Sequence, residues 1–179
     1  AHAINAGRLP DLAPPDGETD FYFVPAGDPE EAVARIVELV SRRIPRRFGL
    51  DPVKDIQVLC PMNRGGVGAR SLNIELQKAL NPAGDKKIER FGWTFAPGDK
   101  VMQVENDYDK DVYNGDIGTI ADVDADEGEV AVDFDGRTVV FAFGELDTLV
   151  PAYAATIHKS QGSEYPAVVI PVMTQHYTM

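Results

Sequence analysis

The sequence predicts an α/β domain built on a parallel sheet and interrupted by a small antiparallel barrel. Three observations carry that reading. Apolar strand-like runs alternate with amphipathic helical stretches through residue 80. Short alternating segments separated by tight-turn dipeptides follow, over about 93–149. Two further apolar runs, "YAATIH" and "PAVVIPV", then restore the first pattern. The expected organisation is therefore 1–92 as the first part of the α/β domain, 93–149 as the inserted barrel, and 150–179 as the return.

The elements follow in order. "LAPPDGETD" reads as a loop, and "DFYFVPA" (Asp20–Ala26), aromatic and β-branched, reads as a strand. The next stretch, "DPEEAVARIVELVSRRI", carries helix-start chemistry: Asp28 as N-cap, Pro29 in the first turn, and Glu31 three residues after the cap. Such a cap contributes about 1 kcal/mol. Val33, Ile36, Val37, Val40 and Ile44 recur at helical spacing and predict one face packed on a sheet. Arg35, Arg42 and Arg43 lie off that stripe, as a solvated face or a phosphate track.

"DIQVLCPM", closed by Pro61, predicts a buried strand. Gly65, Gly66 and Gly68 make a turn, and Leu72, Leu76 and Leu80 stripe the helix after it. Beyond Trp93, Asn114-Gly115, Asp126-Glu127-Gly128 and Asp135-Gly136 mark turns between strands, with Asn114-Gly115 expected as a type I′ hairpin.

Composition excludes several classes. The single cysteine, Cys60, permits no internal disulfide and sits in an apolar run as a buried small hydrophobe. No apolar run approaches the ~20 residues that cross a bilayer, and no secretory signal opens the chain, so a cytoplasmic setting is expected. With no initiator Met at the start and no helix stop before Met179, the chain is expected to be a piece of a longer protein. Seventeen Lys and Arg against 29 Asp and Glu give a net charge of −12, which opposes non-specific nucleic-acid binding but permits a local groove.

No Gly-Lys pair occurs, so Gly65–Gly68 cannot be a self-sufficient phosphate loop. Three histidines (His2, His158, His176) and one cysteine supply no structural zinc site, and no metal site is expected. Ser160 and His158 lack the Gly-x-Ser-x-Gly elbow of a hydrolase.

What stands out is the polar run Thr156-Ile157-His158-Lys159-Ser160-Gln161-Gly162-Ser163-Glu164 between two apolar segments. It follows the C-terminal end of an expected strand, where open α/β sheets bind ligands. Ser, Gln and backbone N–H groups suit phosphate oxygens, Gly162 permits close backbone approach, and Glu164 suits sugar hydroxyls.

Ala154 to Tyr165 resembles, without a break, motif V of superfamily 1 helicases of the RecD-like group, Ala-x-Thr-x-His-Lys-Ser-Gln-Gly-Ser-Glu-aromatic. Three further stretches resemble the same family. "AHAINAG" is similar to the helix end after its early motor motifs, "VLCPMNRGGVGARSLNIELQKALNP" to the opening of its second RecA-like motor domain, and "GDKVMQVENDYDKDVYNGDIGTI" to the start of its SH3-like barrel.

The resemblance implies a truncated second RecA-like (P-loop NTPase-type) motor domain of an ATP-dependent DNA helicase moving 5′ to 3′ on single-stranded DNA. It implies DNA contacts from Thr156, His158, Lys159 and Ser160, with Asn63, Arg64, Asn106 and Tyr108 as further candidates. Tyr108 stays open between a DNA contact and a packed surface aromatic, and Asn114 between a strand-side barrel residue and a turn former. Gln161, Gly162, Ser163 and Glu164 would face the nucleotide. ATP and Mg²⁺ would be the parent's cofactors, and single-stranded DNA, the first motor domain of the same chain and a nuclease complex its partners, with no membrane. No catalytic residue is expected here, so the chain alone should release no phosphate from ATP. Rival readings are a protein-interaction module on the barrel, the motor of a conjugative relaxase-helicase, and a hydrolase using Ser160 and His158.

Overall fold

The structure is a computed structural model that describes residues 2–13, 16–17 and 19–173. Pro14, Pro15 and Glu18 of the expected loop, and His176, lie outside those residues.

The parallel sheet forms around one strand. β1 (Ile56–Cys60) is flanked by β9 (Ala154–Thr156) and β10 (Ala167–Val169), both parallel to it, with Cys60 opposite Thr156 and Ile56 opposite Ala167. Ile56, Val58 and Cys60 point to one face and are buried there with Ile36 of α2 (Pro29–Glu38, which follows the short α1, His2–Asn5), Val40 just beyond its end, and Leu72 and Leu76 of α4 (Ala69–Leu80). The two expected helical stripes thus pack on β1. Burial pushes the Cys60 thiol up to about 12, which keeps it protonated and inert, as a core residue should be.

The start of α2 follows its sequence. Asp28 accepts from Glu31 N at 2.8 Å, and Glu31 Oε2 accepts from Gly27 N at 2.6 Å. The helix then widens into a π-helical turn over Leu39–Arg43 before α3 (Ile44–Phe48). Pro45 explains the widening: its ring crowds the carbonyl four residues back, and it donates no hydrogen bond of its own.

Asp20–Ala26 forms no strand. Strand propensity is satisfied only by a ladder partner, and no described strand runs beside this segment. Its aromatics instead stay partly exposed, and Tyr22 meets the ring of Phe48 at 6.2 Å with Arg47 over it at 5.2 Å.

Strands β4 (Lys100–Gln103), β5 (Ile117–Asp124), β6 (Glu129–Phe134), β7 (Arg137–Ala142) and β8 (Leu149–Pro151) make the second half. They form one antiparallel sheet in the order β7-β6-β5-β4-β8. A hairpin of β2 (Ile88–Arg90) and β3 (Trp93–Phe95) adds Ile88, Trp93 and Phe95 to its core. The sheet curls where β5 bulges between Ile120 and Asp122. At Gly118 a Cβ would stand 2.6 Å from Val132 Cγ1, so only glycine lets β5 and β6 approach.

Asp135-Gly136, expected as a turn, is a type I′ turn with φ of 50° and 87°. The type I′ expectation at Asn114-Gly115 fails. Only Gly115 has positive φ, and Asp116 N donates to Tyr113 O, which is a type II turn within the long β4–β5 loop. Asn-Gly takes the primed turn when two strands leave it directly, and here they do not.

The two halves meet on adjacent residues of opposite charge. Asp99 is buried and accepts four hydrogen bonds: Gln77 Nε2 (2.6 Å) and Asn81 Nδ2 (2.7 Å) from the α4 region, Ala96 N (2.8 Å), and Tyr153 Oη (2.8 Å). Lys100, also buried, donates to Ile56 O at 3.3 Å and lies 5.6 Å from the ring centre of Tyr165. Among the described residues no helix is long and apolar enough to cross a membrane.

Candidate functional site

β1 and β9 end in register, so the loops that leave them start from the same sheet edge. On β9, both backbone groups of Ala154 are held by the buried amide of Asn73, each at 2.8 Å. The side chain of α4 thereby fixes the strand just before the polar run begins.

The run leaves β9 as a 3₁₀ turn, Ile157–Ser160, tied by Ser163 N donating to Ser160 O at 3.1 Å. His158, Lys159, Gln161, Gly162, Ser163 and Glu164 are exposed, and Thr156 is half-buried. Ser160 differs: it is 7% exposed, and its hydroxyl is sealed in without a partner. Gly162 has a φ of 87° and nothing within 4 Å of where a Cβ would sit. Glycine is needed there for its backbone angle, not for a close approach as the sequence suggested.

Asn63 and Arg64 are exposed in the loop after β1. Gly68 is crowded there, since a Cβ would lie 2.5 Å from Arg64 O. The carbonyls of Met62 and Asn63 accept from Ala69 N and Arg70 N, both at 3.1 Å. The first N–H groups of α4 are therefore engaged by the loop's own carbonyls, and this turn is not built as a phosphate cradle.

The barrel contributes the β4–β5 loop. Gly115 brings it against the polar run, its Cβ position 3.9 Å from Lys159 O. In this loop Asn106 accepts from Asn114 N at 2.9 Å and donates to Tyr108 Oη at 3.4 Å. Tyr108 is 76% exposed and meets the ring of Tyr113 edge to face. The structure thus assembles the polar run and the barrel residues Asn106 and Tyr108 through the Gly115 contact, and sets Asn63 and Arg64 at the shared edge of β1 and β9. Glu164 leads away from that edge toward Tyr165, which packs on Lys100.

Charge divides the surface. Glu105, Asp107, Asp109, Asp111 and Asp116 load the barrel loop, and its Lys110 is taken by Glu145 at 2.6 Å. That pair holds the Lys110 ammonium above its ordinary value and, with a bond from Ala142 N, the Glu145 carboxyl below its own. His158 and Lys159 stand on the facing turn.

Sequence reasoning missed Asn73, Asp99 and Lys100. Asn73 left one trace: a polar residue beside Leu72 and Leu76 on a sheet-facing helix. The others gave no periodic signal.

The family model of the ATP-dependent RecD-like DNA helicase SH3 domain matches residues 72–134, and that of the UvrD-like helicase C-terminal domain matches 151–179. The chain is 37% identical over 124 residues to the ATP-dependent RecD2 DNA helicase of Deinococcus radiodurans, covering 69% of this chain and 17% of that protein. It is 31% identical over 150 residues to the RecBCD enzyme subunit RecD of Mycolicibacterium smegmatis, covering 80% of this chain and 26% of that protein. The chain thus spans about a sixth to a quarter of the length of these curated relatives. Among solved structures, Pif1 helicase from Bacteroides in complex with ADP-AlF3 and ssDNA superposes with a TM-score of 0.52 at 19% identity, covering 79% of this chain and 40% of that one. The fold is a RecA-like motor domain carrying an SH3-like insert. On these matches the chain belongs to the RecD-like family of superfamily 1 helicases.

Proposed function

We propose that this chain is part of an ATP-dependent helicase that moves 5′ to 3′ along single-stranded DNA in the cytoplasm, and that it supplies one wall of the DNA track and part of the nucleotide cleft. The observation that carries the reading is the exposed polar run at the end of β9, beside a barrel loop. The similarity to a protein named as an ATP-dependent DNA helicase, and to a fold solved with ADP-AlF3 and ssDNA, supports it.

In this reading Thr156, His158 and Lys159 hold strand phosphates, with Asn63 and Arg64 beside them and Asn106 and Tyr108 across the gap. Ser160 acts from beneath, by shaping the turn its backbone closes. Gln161, Gly162, Ser163 and Glu164 offer an amide, a hydroxyl and a carboxylate to one side of a nucleotide, which fits the ribose and phosphate oxygens of ATP. Their single carboxylate, Glu164, is assigned to the ribose in this reading, which leaves none of the four for Mg²⁺. The metal and the rest of the ATP contacts belong to the first motor domain. We take 1–92 with 150–179 as motor domain and 93–149 as insert. We further propose a nuclease complex as partner; that one relative is named as an enzyme subunit supports a multi-subunit assembly.

The test is fluorescence anisotropy of a labelled single-stranded oligonucleotide titrated with the chain at several salt concentrations. Dissociation constants of ~10⁻⁴ to 10⁻⁶ M are expected at physiological salt, weakening as salt rises. Lys159→Ala should lower both affinity and salt slope. Salt-independent anisotropy, equal for the chain and Lys159→Ala, would count against the reading.

A further inference from the structure

The barrel loop holds two exposed tyrosines in fixed positions. Tyr108 and Tyr113 meet edge to face with ring centres 6.0 Å apart, and are 76% and 42% exposed. Tyr113 Oη donates to Asp111 Oδ1 at 2.7 Å, and Tyr113 N donates to Asp116 Oδ2 at 2.8 Å. Exposing ring surface to water is unfavourable, yet the loop's hydrogen bonds order these rings instead of folding them under.

Beside Tyr108 lies a hollow of about 400 Å³ lined by Gln103 and Thr148. Gln103 is fully buried, and its Nε2 has no acceptor. A buried donor in that state carries a desolvation penalty until an acceptor reaches it. The remaining wall is acidic, with Glu105, Asp107 and Asp109. A phosphate would be repelled there. An unpaired nucleobase would not: it is uncharged, has a π-face for a tyrosine, a ring or carbonyl acceptor for an amide, and, in cytosine, adenine and guanine, amino hydrogens for carboxylates.

We infer that the hollow at Tyr108 receives one unpaired nucleobase of a single strand, stacked on the tyrosine with an acceptor on its edge turned toward Gln103 Nε2, while the phosphates of that strand run along His158 and Lys159. This rests on the single-strand reading proposed above. The contact at Gly115 sets the base side and the phosphate side next to one another. Tyr113 supports the pocket by bracing the ring of Tyr108.

Photocrosslinking tests it with the chain and a ten-residue oligodeoxycytidine bearing a single 5-iodocytosine, followed by peptide mapping. The adduct should fall on Tyr108 or Tyr113. Tyr108→Ala should abolish that adduct and weaken binding about fivefold or more, with an unchanged melting temperature showing that the variant is folded. Binding with adducts only in 61–64 or 156–164, or undiminished by Tyr108→Ala, would overturn the base pocket and leave the strand-binding reading standing. No binding at millimolar concentration would overturn both.

Discussion

The junction between the two halves and the turn beside it are built on opposite plans. At the junction most polar side-chain atoms are engaged, with Gln57 Oε1 a buried exception. Asp99 takes four donors, Asn73 clamps both backbone groups of Ala154, and Gln57 Nε2 donates to the carbonyls of Ala152 (3.1 Å) and Tyr153 (3.3 Å). The polar run a few residues on is closed by a backbone bond from Ser163 to Ser160 and, apart from Thr156 and Ser160, presents its side chains to solvent. The contrast separates two tasks. Buried, hydrogen-bonded polar groups fix where the barrel sits on the motor sheet, and the turn keeps exposed donors and acceptors unspent, as the proposed strand contacts require.

The largest effect should come from breaking the junction. Asp99→Ala leaves the buried hydroxyl of Tyr153 and the Ala96 N–H without their acceptor, and takes one of two acceptors from each of the half-buried amides of Gln77 and Asn81, which keep the carbonyls of Thr94 and Pro97. A loss on the order of 3 kcal/mol is expected in denaturant unfolding. Asp99→Asn, which keeps an acceptor oxygen, should lose less. Equal stability of wild type and Asp99→Ala would remove the junction from the account.

Lys100 sharpens the comparison through pH. Burial pulls its ammonium down to about 8 from an ordinary 10.5, with Asp51 and Asp55 opposing. The unfolded chain therefore binds more protons than the folded one between those values, and stability should rise as pH climbs through them. At pH 7 the lysine is charged in both states and its burial costs up to about 3 kcal/mol. The usable window closes near pH 10, since burial beside Asp99 raises the Tyr153 phenol above its ordinary 10.0 and stability then falls as the unfolded tyrosine ionises. Lys100→Met should be more stable at pH 7 and should flatten the rise between pH 8 and 10. Parallel profiles for the two proteins would contradict this assignment.

How much of this was legible in the sequence depends on whether the signal was local. The N-cap at Asp28, the Leu72–Leu76 stripe and the Asp135-Gly136 turn were read correctly, since each is decided by neighbours within a few residues. Asp20–Ala26 misled, because its composition is that of a strand but strand formation needs a partner that composition does not supply. Asn114-Gly115 misled in the same way, its dipeptide fitting two turn types until the length of the connection chose. Within the site, the polar run was visible as an interruption between apolar segments. Asp99 and Lys100 were not, because a charged residue at a strand start looks solvated unless its distant partners are known.

The smallest effect on stability should come from the turn itself. His158→Ala and Lys159→Ala remove exposed side chains for which the fold shows no ion pair among the described residues, and each should shift unfolding by less than about 0.5 kcal/mol. A destabilisation as large as that of Asp99→Ala would mean that the turn is structural and the contrast is false.

The division of labour is read most directly by backbone hydrogen exchange of the chain with and without a saturating single-stranded oligonucleotide. Added protection is expected in 104–116 and 156–164, with the amides around Asp99 and Asn73 already slow and unchanged. Protection that appears only outside both loops, or none at saturation, would contradict the assignment of this edge as the strand-facing surface.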